Sequence, residues 1–172
     1  MSRAKKAQEQ VMHQPGDAYI VLKTGDAFRK VSDPFRQRMS ALPLEESKRE
    51  ADKDKGGMIA AATCLAFAVE LYIKALRMLN RLGPERTHDL DELYSDLPND
   101  LRRSIEERYN AGMGTSSRAF VVNITHKDAT SQERMKKLIF EYSALGVAAG
   151  ELRVDVVSGL QKHGLSGEML AD

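Results

Sequence analysis

The residues best suited to chemistry are a histidine and a carboxylate set side by side just beyond an arginine-rich helix end. His88 stands beside Asp89 in Arg-Leu-Gly-Pro-Glu-Arg-Thr-His-Asp-Leu-Asp-Glu-Leu (81–93). An imidazole moves protons near neutral pH, so the pair could be catalytic, could bind a phosphate or could cap a helix. A second pattern is cationic. Glu70, Lys74, Arg77 and Arg81 fall at i, i+4, i+7 and i+11, one face of a helix. Glu70 is placed to pair with Lys74, which leaves Arg77 and Arg81, extended by Arg86, as a cradle for phosphate. Each pattern has a plain structural alternative. Cations at a helix C-terminus complement its dipole. Thr87 suits an N-cap with Asp89, Asp91 and Glu92 in the first turn, and His88 then merely packs on the long helix.

Other chemistries lack their residues. Cys64 is the single cysteine, so no internal disulfide forms, and its apolar setting AATCLAFAV is that of a core thiol. His13, His126 and His163 are dispersed, and neither HExxH nor a P-loop, GxGxxG or GxSxG occurs. No metal site and no cofactor are therefore expected. Lys+Arg number 26 against 25 Asp+Glu, so any nucleic-acid site must be a local patch. The opening MSRAKKAQEQ is polar, and the longest apolar run, Met58 to Val69, is too short to cross a bilayer. A cytoplasmic location without a membrane partner is the expectation.

The elements that must position these residues are helices. Ala62, Leu65, Val69, Ile73, Leu76 and Leu79 recur at steps of three and four and predict a helix from Met58 to Leu82, ending at Gly83-Pro84. Shorter helices are expected over His88–Leu97 and Asp100–Tyr109. Thr130 and Glu133 read as a capping box opening a last helix that runs to about Lys162, with Gly164 as its C-cap. Asp33-Pro34 marks a boundary before a short helix to Leu42, and residues 17–31 read as helix or strand, interrupted by Gly25. The run AFVVNI is β-like within a crossing loop. One domain is expected over residues 17–164, with a polar arm at 1–16 and a tail at 165–172. The fold class is all-α, a bundle of four to five helices with two long antiparallel helices. Gly146 and Gly150 would admit a close helix neighbour, and the extended apolar stripes suggest a homodimer.

The order AVELYIKAL (68–76), a Gly-Pro turn, then THDLDELY (87–94) resembles the HEPN superfamily, the higher eukaryotes and prokaryotes nucleotide-binding domain. The resemblance covers about residues 58–97, with the last helix agreeing in position. It implies a homodimeric helical bundle in a bacterial-type defence or toxin–antitoxin-like system. Members include RNA-cleaving toxins and non-catalytic partners of nucleotidyltransferases. Catalytic members carry Arg, four to six residues, then His near the last helix. This chain departs from that pattern: seven residues separate Arg118 from His126, and Arg153 and His163 lie further apart. The resemblance therefore implies an RNA- or nucleotide-binding module without strong catalytic activity, its ligand on Lys74, Arg77, Arg81 and Arg86. Two alternatives stand beside it. One is a metal-independent endoribonuclease using Arg118 and His126, or Arg81 and His88; the other is a scaffold or partner subunit that binds another protein.

Overall fold

The computed structural model describes residues 15–43, 46, 49–50, 53–82, 87–113 and 131–171; of 39–40, 112–113 and 131–144 it describes the backbone alone. These residues form helices and no strand, in keeping with an all-α protein. The capping box at Thr130, the AFVVNI run and most of the expected N-terminal arm lie outside the described residues.

Helix α1 spans Pro15–Ser40. Proline at the start brings a helical φ and lacks only an amide that would be unbonded there, and Asp17 complements the dipole. The segment left open between helix and strand is therefore helix, and the boundary expected at Asp33-Pro34 does not exist. Pro34 removes one helical hydrogen bond and lies on the exposed face of the helix. On either side of it, Ser32 and Phe35 are buried in the core, so ending the helix there would release Phe35. Gly25 does not interrupt anything. It makes room for Tyr72, whose Cε1 would lie 2.7 Å from an added Cβ.

Helix α2, Lys55–Leu79, is the centre of the molecule, packed on α1 and on the long helix Ser131–Lys162. Asp54 caps it by accepting from the Gly57 amide at 2.9 Å. Leu65, Val69, Ile73 and Leu76 of the expected stripe are buried, and so are Met58, Ala61, Ala68, Tyr72 and Ala75 on a second face. By length and composition α2 is apolar enough to cross a membrane, and half of that apolar window is buried within this fold. It ends three residues earlier than expected, and not on a glycine. Arg81 takes a left-handed φ of 56°, its amide bonds Met78 O at 3.0 Å, and the Leu82 amide bonds Arg77 O at 2.9 Å. That is a Schellman closure with arginine where glycine is usual.

Short α3 covers Leu90–Ser95, α4 covers Asn99–Met113 and α5 covers Ser131–Lys162. Gly164 closes α5 as expected, with φ +90° and the Leu165 amide on Leu160 O. The C-terminal residues, read as a tail, form a last turn of helix, α6, Gly167–Leu170, and Leu170 is buried. Contacts set the directions. Gly25 meets Tyr72 and Phe28 meets Phe67, while Arg38 meets Asp54, so α1 and α2 are antiparallel. Arg153 reaches Asp26 and Gly146 lies beside Arg36, so α1 and α5 are antiparallel as well. The two helices expected to be antiparallel, α2 and α5, consequently run in the same direction, with Gly159 under Leu79. Short loops force antiparallel neighbours, but α3 and α4 lie between these two and return the chain. Among the described residues, Gly146 meets Arg36 of α1, and around Gly150 nothing lies within 4 Å.

Candidate functional site

Thr63, Phe67, Glu70 and Lys74 are spaced four, three and four apart and share one face of α2. The entry to α3 brings two more residues onto that face. Thr87 Oγ1 accepts from the Asp89 amide at 3.0 Å, and Asp89 Oδ1 accepts from the amides of Asp91 at 2.9 Å and Glu92 at 3.2 Å. Asp89, not Thr87, is thus the N-cap; Thr87 tightens the turn before it. With capping done by its neighbours, His88 turns to α2 and sets Nδ1 2.9 Å from Glu70 Oε1.

Glu70 organises this corner. It is 8% exposed, and Oε1 also accepts from Lys74 Nζ at 2.6 Å. Burial alone pushes the carboxyl up, but the hydrogen bonds and charges of Lys74 and His88 outweigh it and hold Glu70 below the usual carboxylate range. Above the carboxylate lies an open groove of about 510 Å³, lined by Thr63, Ala66, Phe67, Glu70, His88 and Leu90. This is within the size range of small-ligand sites. Phe67 is 44% exposed there and meets Phe28 of α1 with ring centres 5.4 Å apart. His88 keeps 78% of its side chain in solvent.

The cationic stripe read from the sequence is divided. Lys74 is on Glu70. Arg77 is 6% exposed and donates to Asp96 Oδ2 at 2.7 Å, tying α2 to the end of α3. Arg81 lies past the helix end in its left-handed turn and does not continue the row. The fold thus gathers Glu70, Lys74 and His88, and directs Arg77 elsewhere. Arg86, Arg118 and His126 lie outside the described residues. Cys64 is half-buried rather than a core thiol. Among the described residues no group of three His, Cys, Asp or Glu is placed to hold a metal ion. Thr63, Phe67 and Leu90 were not singled out in the sequence, although the spacing from Thr63 to Lys74 carried the signal for the shared face.

Two further polar clusters join helices. Asp26 accepts from Tyr72 Oη at 2.7 Å and is gripped by Arg153 through Nε at 2.7 Å and Nη2 at 3.1 Å. Burial raises the Asp26 carboxyl, but Arg153 and Tyr72 more than offset it, and the net shift is downward. The Tyr72 hydroxyl is driven far above its ordinary value by burial and then by Asp26. Neither group exchanges a proton near neutral pH, so the cluster is a brace between α1, α2 and α5. Arg108 of α4 likewise binds Glu151 at 2.8 Å and Asp155 of α5. Burial nonetheless keeps the Asp155 carboxyl above its usual range, against the attraction of Arg108. Arg153 is thereby committed to Asp26, while His163 is exposed at the far end of α5.

No family model matches the chain, and no match is found among curated proteins or solved structures.

Proposed function

We propose that the chain is a HEPN-like RNA- or nucleotide-binding module whose ligand enters the groove between α2 and the start of α3. The observation that carries this reading is the half-exposed Phe67 ring beside His88 in a groove of about 510 Å³. A base packs on an exposed aromatic ring for about 1–3 kcal/mol, whatever its sequence context. Ala66 and Leu90 extend the apolar wall. The order ELYIKAL, turn, THDLDEL supports the family reading. The test is fluorescence anisotropy of a labelled ribonucleotide and a short RNA on the intact chain. Phe67→Ala is expected to weaken binding by about tenfold or more while leaving the helical circular dichroism unchanged. Binding that is absent, or indifferent to Phe67, would refute the assignment.

A second reading, a metal-independent ribonuclease, draws support from the Glu70–His88 contact, since a carboxylate that orients an imidazole is a recurrent acid–base device. RNA cleavage in EDTA, lost in His88→Ala, is the expected result under it. Cleavage that survives this change but is lost in His126→Ala would move the chemistry to Arg118 and His126.

A further inference from the structure

Resting on the groove as a nucleotide site, we propose that it recognises the nucleoside end of its ligand through hydrogen-bond donors, with His88 Nε2 as the deciding acceptor, and leaves the phosphates in solvent.

The polar residues lining the groove are Thr63, Glu70 and His88. All three present acceptors. Thr63 gives its hydroxyl hydrogen to Ile59 O at 2.8 Å, so its lone pairs remain for a ligand. Glu70 is ionised at neutral pH, and an ionised carboxylate accepts only. A contact of 2.9 Å between two acceptors would be repulsive, so the hydrogen of the Glu70–His88 bond belongs to Nδ1. In the neutral imidazole that leaves Nε2 bare, and a bare ring nitrogen accepts. Glu70 is therefore a positioning residue: it selects the tautomer that His88 shows to the groove.

The cations point the same way. Neither lysine nor arginine is among the described residues lining the groove. On the same helix Lys74 is bound to Glu70 and Arg77 to Asp96. A phosphate entering the groove would meet a carboxylate and a bare nitrogen. A ribose hydroxyl or a base amino group would instead donate to them, with the base flat against Phe67 and Leu90.

Calorimetric titration of the full chain at about pH 8 tests this with four probes at low and high salt. They are adenosine, adenosine 5′-monophosphate, ribose 5-phosphate and inorganic phosphate. The two adenosine compounds are expected to bind within about threefold of each other, without salt dependence, because no counterion release at a cation accompanies them. The two phosphates without a base should bind at least about tenfold more weakly. His88→Ala should weaken both adenosine compounds alike, by about tenfold for one lost hydrogen bond. ¹⁵N NMR of the imidazole reads the tautomer without any ligand, and Nδ1 should carry the proton in the wild type. A monophosphate more than about tenfold tighter than adenosine, with steep salt dependence, would overturn the proposal while sparing the nucleotide reading. A proton on Nε2 would do the same. Failure of all four probes to bind would overturn both.

Discussion

Replacing Gly25 and Gly150 by alanine, each in turn, separates packing from helix propensity. Both glycines lie inside long helices, α1 and α5, where alanine is favoured by about 1 kcal/mol. Around Gly150 an added Cβ meets nothing within 4 Å among the described residues, so Gly150→Ala is expected to gain about 0.5–1 kcal/mol. At Gly25 the same atom would stand 2.7 Å from Tyr72 Cε1 and 3.0 Å from Cδ1. That ring has little freedom to withdraw. It is fully buried, and its hydroxyl is held 2.7 Å from Asp26, which Arg153 holds in turn. Overpacking of this kind costs about 1–3 kcal/mol. Because propensity cancels between the two variants, their difference is that overpacking alone. It corresponds to roughly 3–9 °C at about 3 °C per kcal/mol for a chain of this size. Thermal and urea unfolding followed by circular dichroism measure it. If the two variants gained stability equally, the ring would not be pinned and the account of Gly25 as a packing residue would be wrong.

Asp26 predicts an acid-dependent stability. Its folded carboxyl lies below the unfolded value, so its contribution is present above about pH 4 and is lost as pH falls through the folded value. Asp26→Asn keeps an acceptor for Tyr72 but removes the negative charge that Arg153 grips. It should reduce stability at neutral pH by about 1–3 kcal/mol and flatten the fall of Tm below about pH 4. An acid limb as steep as that of the wild type would count against this. Arg77→Ala should cost about 2 kcal/mol, mainly from the buried stem, and Arg77→Met should recover most of it. Nucleotide affinity should stay within about twofold in both; a tenfold loss together with a shallower salt slope would restore Arg77 to a phosphate site.

What was legible in the chain is what depends on neighbours three and four residues away. The buried stripe of α2, the end of α5 at Gly164 and the capped turn before Leu90 all follow from local spacing and cap chemistry. Where two local readings compete, the partner decides. Pro34 signals a helix end, yet Phe35 buried beyond it carries the helix on. Gly25 signals a break, yet the Tyr72 ring against it makes glycine the residue that fits. Thr87 and Asp89 are both able to cap, and only the path of the turn assigns the cap to Asp89. The stripe Glu70, Lys74, Arg77 and Arg81 shows the limit most clearly. Spacing alone put four side chains on one face, a statement about a single helix. Their partners came from elsewhere: His88 joined Glu70, Asp96 took Arg77, and a left-handed residue removed Arg81 from the row. The sequence by itself determined that α2 to α5 are helical and that one stripe of α2 is apolar, because periodicity is local. Only the tertiary structure decided that Asp96 neutralises Arg77 and that His88 meets Glu70 through Nδ1, because a charge is satisfied by whatever the fold brings within about 3 Å of it.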